Sequence, residues 1–418
     1  MKHWLDLKPV RYALAAAGPV AVAVTHFGLS LALLQLLSPA AFGSFSALLV
    51  VVQLGWGIWS ALLCAPLPVF LTQDDPAARA SGEATLLQGN ARGALAAVPV
   101  FAGLGWALDL PPAAAAIFAL FGGVSLLRWF GRAFAYVHGQ QLRTVASDLA
   151  YSASVGVALL GAGWGLGLDL ELACYLALLT GAVAGLLPFG THYLSQLRWG
   201  EGGLLGRYRP IWQGQSRWAL LGVGTTEATA NAHVYLVAAL AGAAAYAPIA
   251  ASALLLRPVN VAQNALTDFE RPQLARAIGS GATPASLGRS LLVFRLALLA
   301  LWAGTVAAGV LLFVAAPRLL FPPAYPLDFL MGASALWALF ALLRLLQTPE
   351  STLLQAAGEF RDLAMASVWS GIASVAAVTL LLVTAGTLWS IAGVVAGAAV
   401  YLAWTWLYAR RWLAARRS

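Results

Sequence analysis

Several ionisable and amide side chains stand inside runs of sequence that are otherwise apolar, and their spacing sets the chemistry open to them. Arg257 is followed by Asn260 and Asn264 at i+3 and i+7, so on a helix the three share one face. Pro258, next to Arg257, loosens the backbone at that point. Glu227 and Asn231 share a face in the same way at i+4. Counted from the cytoplasmic ends assigned below, Arg257 and Glu227 lie about ten or eleven residues in, roughly 15 Å deep at the helical rise. An ionisable group at such depth costs a few kcal/mol on insertion scales, so it faces protein or a watered cavity. Two readings stand for this pair: a buried ion pair joining two helices, or a substrate or coupling site. Arg128, Arg132, Arg295 and Arg344 fall in the inner parts of their helices. Each alone can snorkel to the cytoplasmic surface. Together they would make a cytoplasm-facing mouth electropositive, with planar guanidinium groups suited to bidentate phosphate contacts. His26, with Ser30 one turn on, sits deep in an apolar run. It reads either as a packed, hydrogen-bonded residue or as a group that titrates during a transport cycle.

Other chemistries lack their residues. Lys2 and Lys8 are the only lysines, so no phosphate-binding loop with its lysine exists, and ATP-driven transport by this polypeptide alone is excluded. His3, His26, His138, His192 and His233 are scattered without metal-ligand spacing, and no metal is expected. Gly161, Gly163, Gly165 and Gly167 have the wrong spacing for a dinucleotide turn and follow no strand, so they read as helix packing or a flexible end. Cys64 and Cys174 fall within apolar runs and read as buried thiols. The longest outer connection, around Pro317 to Leu327, offers only Arg318 as an ionisable group, which leaves a membrane-embedded glycan-assembly enzyme without its carboxylates. No catalytic residue and no cofactor is expected.

The elements that must position these residues are membrane spans. Of 418 residues 61% are hydrophobic and 10% charged, against about a quarter charged in ordinary globular domains. Apolar stretches of about 20 residues recur along the chain, each long enough to cross the hydrocarbon layer as a helix. Stretches such as Ala153 to Gly163 and Leu296 to Ala316 are apolar on all sides, which excludes the alternation of a β-barrel. The spacing predicts spans over Tyr12 to Leu37, Ser44 to Leu71, Leu86 to Leu108, Ala113 to Val137, Thr144 to Leu168 and Leu170 to Leu194. Six more start near Arg217, Ala243, Gly288, Asp328, Leu363 and Thr387. Met1 to Arg11 is short and polar, with no convincing cleavage site after it, so the first span is expected to remain in the mature protein.

The net charge of +8 raises nucleic acid as a partner, but the placement of the charges excludes it. Arg79, Arg92, Arg143, Arg198, Arg207, Arg209, Arg271, Arg276 and Arg361 fall in even-numbered loops, and Arg410, Arg411, Arg416 and Arg417 in the tail. The odd-numbered loops carry Arg318 beside Asp109, Asp169, Glu171 and Asp328. This bias places both termini in the cytoplasm. Trp106, Trp164 and Trp389 then fall near outer ends and Trp218 and Trp412 near inner ends, as interface anchors.

The two halves echo each other. Leu126-Leu127-Arg128 is followed by Gly139 and Arg143, and Leu342-Leu343-Arg344 by Gly358 and Arg361. With about twelve spans, the echo predicts two six-helix lobes related by a pseudo-twofold axis along the membrane normal. The lobes cover residues 1–194 and 217–418, the second with a basic cytoplasmic tail, joined by a cytoplasmic loop over 195–216.

Leu36-Leu37-Ser38-Pro39-Ala40-Ala41-Phe42-Gly43-Ser44-Phe45 resembles the hairpin between the first two spans of polysaccharide-unit flippases of the multidrug/oligosaccharidyl-lipid/polysaccharide (MOP) superfamily. Leu126 to Arg143 and Leu353-Leu354-Gln355-Ala356-Ala357-Gly358 are also similar to that family. The resemblance implies an all-α polytopic, MATE-like protein that flips a polyprenyl-diphosphate-linked saccharide across a bacterial inner membrane by alternating access. It implies a lipid-linked anionic saccharide and membrane lipids as partners, with a glycan polymerase or export machinery alongside. On that reading Arg257, Asn260, Asn264, Arg128, Arg132, Arg295 and Arg344 bind substrate, while Glu227, Asn231 and His26 couple or pair. Drug antiporters of the same superfamily are the alternative, and they carry an acidic residue in the first span where none occurs between Arg11 and Leu37. Lipid II flippases of the superfamily have more spans than the roughly twelve counted here.

Overall fold

A computed structural model describes residues 8–68, 75–162, 167–195, 197 and 202–416. Gly163, Trp164, Gly165, Arg198, Arg417 and His3 lie outside the described residues, as does the side chain of His192. Every regular element among the described residues is a helix, in keeping with an all-α membrane protein. In chain order they are α1 (Lys8–Leu36), α2 (Pro39–Trp59), α3 (Pro76–Ala107), α4 (Pro112–Val137), α5 (Gln141–Leu160) and α6 (Leu170–Leu186). The short α7 (Gly190–Ser195) and α8 (Leu204–Ile211) lead into α9 (Arg217–Ala230), α10 (Ala232–Leu240) and α11 (Ala243–Ala253). Then come α12 (Arg257–Gly279), α13 (Pro284–Ala315), the single turn α14 (Pro317–Leu320), α15 (Leu327–Ala357), α16 (Phe360–Ala385) and α17 (Ser390–Ala415).

Nine segments among the described residues are long and apolar enough to cross a membrane, fewer than the predicted twelve. The other three expected spans are helical but interrupted by polarity or shape. Helix α3 carries Arg79, Glu83 and Arg92, and α5 carries Arg143 and Asp148. The seventh expected span breaks at Asn231 into α9 of 14 residues and α10 of 9. A protein with this many lipid-length helices is a multi-pass membrane protein. Its exposed apolar surface agrees: Val310 and Val314 near the end of α13 and Leu319 in α14 are 57, 79 and 77% exposed, which suits hydrocarbon and not water.

The sequence sets the helix ends. Helix α3 starts ten residues before the expected Leu86, because Asp75 caps it by accepting from the Ala77 amide and Pro76 stands where no amide partner is needed. Thr283 likewise caps α13 through the Ser286 amide, with Pro284 following. Gly358 ends α15 in the left-handed conformation at φ 82°. Pro258 starts α12 after a 3-10 turn over Leu254–Leu256, so the break expected beside Arg257 is a change of helix type.

The chain divides into two compact units. The first holds the chain up to Leu29 together with Leu48–Val223, and the second holds Ser30–Ala47 and Gly224–Ser418. In the first unit, Phe118 packs edge-on against Phe101 at 5.8 Å and Tyr175 at 5.6 Å between ring centroids. In the second, Leu274, Leu287, Leu291, Leu353, Leu354 and Leu363 form a buried cluster with Ala409. Residues 30–47 belong to it because Gln35 Nε2 donates to the Leu319 carbonyl at 3.3 Å and Gly43 lies against the backbone of Ala243, where no side chain would fit.

Candidate functional site

In the first unit α1, α2, α4 and α5 bring a ring of polar and aromatic side chains together. Arg128 Nη2 donates to Asp148 Oδ1 at 2.5 Å, and its Nε donates to Ser147 Oγ at 3.1 Å. Arg132 Nη2 stands 3.1 Å from Asp148 Oδ2. The Arg128 guanidinium lies 4.5 Å over the Tyr151 ring, and the Tyr151 hydroxyl is 2.6 Å from His26 Nε2. Arg132 lies over Trp129, which stacks on Trp56 at 5.1 Å, and Trp56 meets His26 at 6.5 Å to close the ring. Glycine makes the closeness: a Cβ at Gly185 would sit 2.5 Å from Arg128 Nε, and one at Gly18 as near to Asp148 Oδ2. Asp148 is fully buried, so two arginines share one carboxylate away from water. Such a cluster holds because both cations face the same carboxylate, and its removal would orphan both.

In the second unit the arginines have different surroundings. Arg295 pairs with Glu350, which is buried, and lies 5.6 Å from the Trp406 ring. Arg257 Nη1 donates to Ser30 Oγ at 3.2 Å. Glu227 does not pair with Arg257. Its Oε2 accepts from Asn231 Nδ2 at 2.8 Å and from the Tyr235 hydroxyl at 2.9 Å, which satisfies the carboxylate on its own side of the unit. Asn260 and Asn264 are both exposed on α12, and Asn264 alone of the Arg257 face lines the cavity described next.

That cavity, about 250 Å³ in volume, lies within the second unit between α9, α12, α15, α16 and α17. Arg344 lines it, with Gln347 on the next turn and Asn264 and Gln263 across from them on α12. Arg344 has no carboxylate partner among the described residues, and its Nε is buried without a hydrogen bond. Its guanidinium lies 5.8 Å from the Phe340 ring, and Tyr401 lines the same cavity. Gln347 Oε1 is also buried without a partner. Gln263 Nε2 donates to Thr348 Oγ1 at 2.7 Å, and Thr348 in turn donates to the Arg344 carbonyl. No group of histidine, cysteine and acidic residues suited to a metal ion occurs among the described residues.

Of the residues to which the sequence points, Arg128 and Arg132 thus meet each other and His26 in the first unit, while Arg344 and Asn264 meet in the second. Arg257, Glu227, Asn231, Asn260 and Arg295 stand outside the cavity lining. Asp148 and Glu350 complete the buried charge clusters without having been singled out in the sequence. Their signal was available, since each is an acidic residue within a long, largely apolar helix.

No protein-family profile and no curated protein sequence matches the chain. Solved structures do match. An inward-facing multidrug resistance MATE family transporter of the MOP superfamily aligns over 95% of both chains with a TM-score of 0.68 at 15% identity. A MOP superfamily transporter from Pyrococcus furiosus, described as having a binding pocket of reverse polarity that suggests a different function, aligns over 97% of this chain and 95% of its own, with a TM-score of 0.58 at 15% identity. A eukaryotic MATE transporter aligns over 97% of this chain and 99% of its own, with a TM-score of 0.60 at 14% identity. Over essentially its full length, the chain has the fold of the MATE transporters of the MOP superfamily.

Proposed function

We propose that the chain is a transporter that flips a polyprenyl-diphosphate-linked saccharide across a bacterial inner membrane by alternating access, with both termini in the cytoplasm. The observation that carries this reading is Arg344, a cation without a carboxylate partner among the described residues, in a cavity lined by amides, hydroxyls, Phe340 and Tyr401 and by no acidic residue. A cavity built this way favours an anion. A cationic drug needs a carboxylate or an aromatic cage in its place. The likeness to MATE transporters supports transport over catalysis, and the absence of an acidic residue between Arg11 and Leu37 supports an anionic cargo over cation-coupled drug export.

The drug-antiporter reading draws on the multidrug transporters that share the fold. Deletion of the gene separates the two. The flippase reading predicts accumulation of a lipid-linked saccharide on the cytoplasmic side, detected by mass spectrometry of extracted lipids, with unchanged sensitivity to cationic dyes. Normal lipid-linked intermediates together with dye sensitivity that complementation reverses would replace it with drug export. The orientation has its own check: a reporter fused after Ser418 is active in the cytoplasm, and a cysteine placed at Gly386 is labelled from outside.

A further inference from the structure

The cavity of the second unit says more about its ligand than its charge. The hydroxyls of Thr229, Thr267 and Ser351, all in its lining, donate to carbonyls of their own helices, at Thr225, Gln263 and Thr348. With their hydrogens spent, these oxygens can only accept from a ligand. Gln347 adds an unpartnered carbonyl oxygen. Thr348 donates to the Arg344 carbonyl, so it must accept from Gln263, which fixes that amide with its own oxygen left as a further acceptor. The lining therefore sets these acceptors beside the donors of Arg344, Asn264 and Gln355, which suits a ligand that carries both O–H groups and a negative charge.

Charge and size narrow the class. One guanidinium balances one negative charge, whereas a diphosphate brings more than one into a lining with no second cation. An apolar cavity of about 150 Å³ holds a benzene ring. The space here, about 250 Å³, has room for a single sugar ring with its substituents. A repeat unit or a polyprenyl tail would have to extend beyond it, since pockets for drug-sized ligands run from roughly 300 Å³.

We infer that this cavity is a subsite for one acidic sugar ring of the transported glycan, its negative group held by Arg344 and its hydroxyls read by Gln347, Gln263 and the spent threonine and serine oxygens. The inference rests on the flippase reading and deepens it: the cavity selects the saccharide, while the diphosphate is bound elsewhere.

Saturation-transfer NMR on the purified full chain in detergent tests it with three probes: methyl β-glucuronide, methyl β-glucoside and inorganic pyrophosphate. The glucuronide receives saturation, the neutral glucoside binds at least about tenfold more weakly, and pyrophosphate does not displace the glucuronide. Arg344→Gln weakens glucuronide binding by about tenfold or more, and Gln347→Leu by about fivefold, in proteins whose melting temperatures stay at the wild-type value. Displacement by pyrophosphate, equal binding of the two glycosides, no glucuronide signal, or an Arg344→Gln protein that binds like wild type each overturns the subsite. If lipid-linked saccharide still accumulates in the deletion strain, such a result removes the sugar subsite and leaves the flippase reading standing. If instead the lipids are normal, both fall.

Discussion

Arg128 and Arg344 each close a Leu-Leu-Arg tripeptide at matching places in the two halves of the chain, yet their surroundings are opposite. Arg128 is clamped by Asp148 from the next helix, shares that carboxylate with Arg132 and lies over the Tyr151 ring. Arg344 has no acid beside it among the described residues and opens onto a cavity. The echo between the halves has an offset of about 216 to 219 residues. Counted from Asp148 it falls on Ala364 to Ser367, where no acidic residue stands. The acid that clamps Arg128 is thus missing at the matching place in the second half, though the two regions differ in other side chains as well. A compensated buried arginine joins helices and stays put, whereas an uncompensated one keeps its field for a ligand.

The contrast between the two arginines rests most heavily on the acid. Asp148→Ala leaves Arg128 and Arg132 buried without a counter-charge, and the first unit loses about 3 to 5 kcal/mol. The loss reads out as a lower melting temperature of the purified protein and poor insertion, and an unchanged melting temperature would show that the cluster is watered. Glu350→Ala has a smaller effect, about 1 to 3 kcal/mol, because Arg295 is partly exposed and can turn toward solvent. Arg132→Gln costs about 1 kcal/mol or less, since a neutral Arg128–Asp148 pair remains. Smallest of all is the coupling between Glu227 and Arg257. With the carboxylate satisfied by Asn231 and Tyr235, the effects of Glu227→Leu and Arg257→Leu on stability add to within about 0.5 kcal/mol in a double-mutant cycle. A coupling of several kcal/mol would restore the ion pair that the sequence had suggested.

Much of the fold is legible in the sequence because apolar length is a local property. The helices, the Pro and Asp or Thr that start them at Asp75 and Thr283, and the glycine that ends one at Gly358 all act within a turn of chain. The break of the seventh expected span at Asn231 escapes such a reading, since Ala230 and Ala232 on either side both favour a continuing helix. The site is legible by residue type and not by partnership. Which arginine is neutralised depends on an acid 20 residues away in Asp148 or 55 away in Glu350, brought in by helix packing. Arg344 could not be told from Arg128 in the sequence, because what distinguishes it is the lack of such a neighbour.

On the proposal that Arg344 serves the cargo and not the fold, complementation of the deletion strain has a definite outcome. An Arg344→Gln protein should reach the membrane at the wild-type level with an unchanged melting temperature, because it orphans no partner, yet it should fail to restore glycan export and should leave lipid-linked saccharide accumulated. Full export with no accumulated intermediate, at wild-type expression, would return Arg344 to the same structural role as Arg128.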